Sequence, residues 1–243
     1  MPYFPKFNLL FLHVPKTGGT SVENTLQEIQ KLEFFDWKES MRRFEQNDMQ
    51  IQNDNVYGYE KLDGNEFALQ HATFSQIKQW NYLKSDDPYI LIVVRNPYTR
   101  MVSEYRWQLH FGYNQSFAKF VSDTLQQQWH KKSVFHQHLL PQSDFLNGVS
   151  LNNPKLSIVY FEHLAEGIQH YFEEMKSIFP EFTDAKLRRD NDTVDISRGS
   201  VFEKESKKPW QSYYTNAAVV KMVYSLYEKD FQLFGYSQNI NND

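Results

Sequence analysis

The sequence predicts an α/β fold with a mainly parallel central sheet flanked by helices. Two observations predict it. Apolar runs at Leu9–Val14, Tyr89–Val94 and Leu156–Phe161 each lead into a helical pattern. Unbroken apolar, β-branched runs mark strands buried on both faces of a parallel sheet. Strands that alternate with helices are joined by crossover connections, which make their neighbours parallel.

Bulk properties narrow the class. The chain has 243 residues, 40% hydrophobic and 16% aromatic, a size that suits one domain with its own core. Its net charge of −4 argues against a general nucleic-acid binder, which carries a basic excess. Without cysteine it has neither disulfides nor thiolate metal ligands. The opening MPYFPKFNLL lacks the basic start and long apolar core of a signal peptide. No apolar run reaches the length of about eighteen residues that a spanning helix needs. A soluble, cytoplasmic protein with no membrane span is the expectation.

Taken in order, residues 7–13 form the first strand and 20–31 the first helix, with Val22, Leu26 and Ile29 on one face. Residues 32–55 are charged and aromatic; Phe35, Trp37, Met41 and Phe44 line one side of a short helix, and Asn53–Asn55 read as a turn. Glu66–Gln70 is a short strand, Thr73–Trp80 a helix, and Asp86–Pro88 a loop. The strand Tyr89–Val94 ends at Arg95. Asn96 follows as N-cap and Pro97 as first residue of a helix that runs to about Leu109. Leu156–Phe161 is a further strand, capped by Glu162 and followed by a helix to about Ile178. A polar loop spans Arg188–Pro209, the last helix spans Thr215–Lys229, and the tail DFQLFGY packs onto the core.

The chemistry gathers first in PKTGGTS, residues 15–21. Strand, glycine turn and helix follow one another there. Gly18 and Gly19 let backbone approach an anion, and the helix start offers unpaired N–H groups and positive dipole. Thr17, Thr20 and Ser21 add hydroxyls, and Lys16 adds a charge. The nucleotide-triphosphatase loop G-x-x-x-x-G-K-S/T places lysine after the glycines; here it stands before them. PKTGGTS instead resembles the 5′-phosphosulfate loop of sulfotransferases that use 3′-phosphoadenylyl sulfate (PAPS), in particular carbohydrate sulfotransferases of the heparan 2-O type.

A second motif, RNPYTRMVSEY, resembles the 3′-phosphate motif of that family, with Arg95 and Ser103 at the matching positions. Ligands of open α/β sheets bind beyond the carboxyl ends of strands, where Arg95 stands. Asn96, Thr99, Arg100 and Ser103 share a helix face by spacing. A third segment, FALQHATFSQI, resembles the stretch in which a histidine faces the acceptor hydroxyl, and His71 is that histidine here. His13 reads as the end of the first strand. Weaker echoes are HLLPQSDFL with Gln142 and Ser143, IVYFEHL with Glu162, and the ending PWQSYYT…YEKDFQLFGY. In the family a loop before that ending closes over the nucleotide, which makes Ser206, Lys207 and Lys208 candidates and Lys207 the choice. His130, His136 and His138 lie close in sequence, but no carboxylate or cysteine has metal-ligand spacing and HQH on a helix splays its rings; no metal is expected.

The resemblance implies a single sulfotransferase domain over residues 1–243, with a three-layer P-loop-like fold. It implies PAPS as donor and PAP, the 3′,5′-bisphosphate, as product. Lys16, Thr17, Gly18, Gly19, Thr20 and Ser21 would hold the phosphosulfate, Arg95 and Ser103 the 3′-phosphate, and Lys207 would close the site. His71 would be the base and Lys16 would neutralise the departing phosphate oxygen, with a small-molecule or glycan acceptor. Two alternatives stay open on the sequence: a nucleotide-dependent P-loop kinase, and a non-catalytic nucleotide- or glycan-binding module.

Overall fold

A computed structural model describes residues 3–31, 59–62, 65–81, 83, 85–126, 135–189, 205 and 207–240. The expected short helix and turn within 32–55, together with His130 and Ser206, lie outside the described residues.

In chain order the elements are β1 (Tyr3–Phe4), β2 (Leu9–Leu12), α1 (Gly19–Gln30), β3 (Tyr59–Leu62), β4 (Asn65–Ala68), α2 (Phe74–Gln79), β5 (Tyr89–Val94) and α3 (Pro97–His110). Then come α4 (Phe117–Leu125), α5 (Phe135–Leu139), β6 (Leu156–Tyr160), α6 (Leu164–Lys176) and α7 (Ala217–Phe234). The central sheet runs β1-β2-β5-β6, with β2, β5 and β6 mutually parallel and β1 an antiparallel edge. In register Leu10 faces Ile90 and Ile92 faces Ile158.

Alternate strand residues feed two cores, as the period-two geometry of a strand requires. Leu10, Leu12, Ile90, Ile92 and Val94 pack with Phe74, Ile77 and Phe145 on one face. Leu9, Phe11, Leu91 and Val93 pack with Val22 and Leu26 of α1 and Ile168 and Phe172 of α6 on the other. This is the mixed α/β, mainly parallel architecture that the apolar runs predict. A third core joins α3, α4 and α7 through Tyr98, Val102, Phe120, Val223 and Phe231.

Four expectations are corrected. The first strand is shorter than residues 7–13, because Pro5–Phe7 form a 3-10 turn that closes on left-handed Asn8. The strand expected at Glu66–Gln70 is β4 (Asn65–Ala68), which among the described residues pairs with β3 in a hairpin separate from the central sheet, and a 3-10 turn over Leu69–His71 follows it. Glu162 does not cap its own helix: its Oε1 accepts the Asn96 N–H at 2.8 Å and its Oε2 accepts the Tyr236 hydroxyl at 3.0 Å, so it serves the start of α3. The last helix does not stop at Lys229. It kinks at Tyr227 and continues to Phe234, and DFQLF packs on the core as helix because Asp230, Phe231 and Phe234 are buried.

Candidate active site

Three parallel strands end on the same side. β2 delivers the Pro15–Ser21 loop, β5 delivers Arg95, and β6 delivers Phe161 and Glu162. The loop turns through left-handed backbone at Lys16 (φ 68°) and Gly18 (φ 77°). For a residue with a Cβ the left-handed region costs about 1–2 kcal/mol, so Lys16 is held there by its surroundings. Gly18 is required twice over, since a Cβ would also come within 2.8 Å of Leu164. At Gly19 a Cβ would fall 2.2 Å from the His13 ring. No side chain caps α1 at Gly18. The helix start is thus a glycine turn without a side-chain cap, of the kind an anionic phosphate group fits.

The loop hydroxyls divide by task. Thr17 is fully buried and donates to the Val14 carbonyl at 2.9 Å, so it holds the turn and is not the free donor that the sequence leads one to expect. Thr20 is partly exposed at the first turn of α1, and Ser21 is buried. Lys16 is half-buried, with Nζ 4.2 Å from the centroid of the Trp107 indole, a cation–π contact. Burial outweighs the opposing charge of Glu104 and, with a smaller push from Arg95, lowers its pKa to about 8.

Arg95 reaches back across the sheet edge. Its Nη1 donates to the Lys16 carbonyl at 3.0 Å and its Nε to the Thr99 hydroxyl at 2.9 Å, and the guanidinium stacks 4.1 Å above Phe161. Gln142 clamps its backbone at both ends: Oε1 accepts the Arg95 N–H and Nε2 donates to the Arg95 carbonyl, each at 2.8 Å. Asp230 in turn accepts the Gln142 and Ser143 N–H groups at 2.8 Å. Ser103 is half-buried on the same helix, and its hydroxyl has no hydrogen-bond partner among the described residues. Arg100, which the spacing groups with it, does not serve a ligand. It is buried and donates to the carbonyls of Pro15, Leu140 and His138. Lys207 is exposed in a segment tied to α3, where Arg106 donates to the Lys208 carbonyl at 2.5 Å.

His71 reaches this edge from the hairpin. Gln137 of α5 holds its turn by donating to the carbonyls of Ala68 and His71, both at 3.1 Å, and by accepting the Ala68 N–H at 2.7 Å. The His71 Nδ1–H donates to the His13 carbonyl at 2.9 Å. That bond assigns the tautomer and leaves the lone pair on Nε2, which lies 3.3 Å from the Gln70 amide nitrogen. Burial, with the like charges of His13 and His138 behind it, holds the His71 pKa well below the usual imidazole value.

His13 does more than end a strand. It is buried, its Nδ1 meets Glu23 Oε2 at 2.7 Å, and its ring centroid lies 4.8 Å from that of His71. The His138 ring also lies 5.1 Å from His71, and its Nδ1 meets Glu104 Oε2 at 3.0 Å. The sequence offers no sign of this pairing, because Glu104 and His138 are 34 positions apart. Among the described residues no group of three or more histidines and carboxylates is arranged to hold a metal ion, and no helix is long and apolar enough to cross a membrane.

The structure therefore brings Lys16–Ser21, Arg95 and His71 to one edge of the sheet. No curated protein and no solved structure matches the chain. A family model described as "Sulfotransferase family" matches residues 2–237, from before β1 to beyond α7. With that match spanning nearly the whole sequence, the chain belongs to the sulfotransferase family.

Proposed function

We propose that the protein transfers a sulfuryl group from PAPS to an acceptor hydroxyl, with a carbohydrate as the favoured acceptor and His71 as general base. One observation carries the reading. The uncapped, glycine-walled start of α1 and the Arg95 fork are joined by the bond from Arg95 to the Lys16 carbonyl. Two anion-binding elements so linked match a ligand with two separated phosphates. Lys16, Gly18, Gly19, Thr20 and Ser21 would hold the phosphosulfate, with Thr17 keeping the loop closed. Arg95 and Ser103 would hold the 3′-phosphate, and Lys207 lies in the segment that would close over the nucleotide.

PAPS supplies the sulfuryl group, whose bond to the 5′-phosphate oxygen breaks as the acceptor oxygen bonds sulfur. The His71 Nε2 lone pair takes the acceptor proton, and the Nδ1–H bond to His13 keeps that lone pair in place. Lys16 neutralises the charge that grows on the leaving phosphate oxygen. Membership of the sulfotransferase family leaves the kinase alternative without support; a non-catalytic module is separated by turnover in an acceptor screen with labelled PAPS.

Calorimetry tests the donor site. The protein is expected to bind PAP at least about tenfold more tightly than 5′-AMP, because a charge-assisted hydrogen bond contributes about 1.5–3 kcal/mol. Equal affinity for the two nucleotides would remove the 3′-phosphate assignment.

A further inference from the structure

Glu104 follows Ser103 on α3, yet it is 1% exposed. A buried carboxylate is costly unless cations and donors surround it. Here Oε1 accepts from Gln108 Nε2 at 2.6 Å and Oε2 meets His138 Nδ1 at 3.0 Å. His138 carries the contact onward, since its ring lies 5.1 Å from His71. One turn further along α3, Trp107 holds the Lys16 ammonium over its ring. The same helix thus brings a carboxylate to the imidazole row and, one turn on, an indole to the lysine of the glycine loop.

We propose that Glu104 is a positioning residue of this centre: it anchors His138 against the His71 ring and supplies the buried countercharge for the Lys16 ammonium. It touches neither nucleotide nor acceptor and acts through those two residues. The inference rests on the reading of Lys16 and His71 given above.

The charged and titratable groups around it come from every neighbouring element. His138 faces it from α5, Lys16 from the loop after β2, and Tyr227 from α7. Arg95 faces Lys16 from the end of β5, His13 and His71 complete the imidazole row, and Arg100 donates to the His138 carbonyl. His138, Lys16 and Gln108 together overcome the effect of burial and hold the Glu104 carboxyl at about 2, so it is ionised at any working pH. Lys16, at about 8, is the group that its charge keeps protonated.

The test is calorimetry of PAP binding from pH 6 to 9 on the wild type, Glu104→Gln and Glu104→Asp, with thermal melts at each pH. Wild-type affinity should fall as pH rises through about 8 and Lys16 loses its proton. In Glu104→Gln the fall should begin about one pH unit lower, the scale of losing a nearby opposite charge in a buried site. That makes the variant about fivefold weaker than wild type at pH 8 and nearly equal to it at pH 6. A purely structural role would lower the melting temperature and leave the alkaline limb where it was. A proton spectrum gives a second readout: a downfield imidazole N–H signal, present in the wild type and lost in His138→Gln, should also be lost in Glu104→Gln. If Glu104→Gln does not fold, Glu104→Asp carries the test. It draws the charge back by one methylene and should move the limb down by about half a unit. An alkaline limb at the wild-type position in the folded variants overturns the proposal. A wild-type protein with no affinity for PAP overturns the donor reading with it.

Discussion

His71→Ala is expected to lower turnover by about 10²–10⁴, the usual contribution of a positioned general base, while PAP affinity stays within about twofold. The split follows from the geometry. His71 is held by Gln137 and by the His13 carbonyl, and among the described residues its hydrogen bonds and ring contacts go to Gln70, His13, Gln137 and His138. Removing the imidazole takes away a proton acceptor and leaves the phosphate cradle standing. Initial rates with labelled PAPS and calorimetry with PAP check the two halves. A variant with near-normal rate would end the assignment and turn attention to His13, whose ring lies 4.8 Å away. The pH profile gives the wild-type counterpart. A base acts only when neutral, and His71 stays neutral well below 6.5 because burial and its charged neighbours oppose the imidazolium. Activity should therefore be level between pH 6 and 7, with the acid limb below that range. An acid limb at 6.5 would point to an ordinary, solvated histidine.

Arg95→Ala is expected to weaken PAP binding by about 1.5–3 kcal/mol, or roughly 10- to 150-fold, and to leave 5′-AMP binding less affected. Two effects add in the same direction. The guanidinium is the candidate partner of the 3′-phosphate, and it also ties the Lys16 carbonyl to Thr99 through Nη1 and Nε. Arg95→Lys separates them. A lysine keeps a charge but has no planar fork to reach phosphate, loop and Thr99 together. It should recover only part of the loss. Calorimetry with PAP and 5′-AMP on both variants is the measurement. Equal losses for the two nucleotides would show that Arg95 serves only to shape the loop.

Much of the fold is legible in the chain because local patterns suffice for it. The run Tyr89–Val94 has the unbroken β-branched pattern of a strand buried on both faces, and Asn96 with Pro97 starts a helix where the structure has one, with Asn96 Oδ1 accepting the Tyr98 N–H at 2.8 Å. Two glycines before Val22, Leu26 and Ile29 likewise mark the turn into α1. By contrast β1 escapes notice, since two residues carry no period. The helix α4 is hidden among aromatic residues whose partners are on α3 and α7. The length of α7 is set by Asp230, whose bonds go to Gln142 and Ser143.

The same division runs through the site. Lys16, Gly18, Gly19 and Arg95 are legible because each is tied to an adjacent strand end or helix start, and backbone geometry there depends on neighbours in sequence. His71 enters as a candidate only through family resemblance. Its tautomer is not legible, because the bond that assigns it goes to the carbonyl of His13, 58 positions away. Gln137, His138, Glu104 and Arg100 are the residues that sequence reading passes over or misassigns. Each acts on a partner from another element: Gln137 on the His71 turn, Glu104 on His138, and Arg100 on the Pro15 carbonyl. By itself the sequence determined the α/β class, the glycine turn between the first strand and helix, and the arginine at the strand end, because these follow from periodicity and turn chemistry along the chain. Only the tertiary structure decided which buried charges face one another, because a carboxylate and an imidazole 34 residues apart meet only once α3 and α5 have packed.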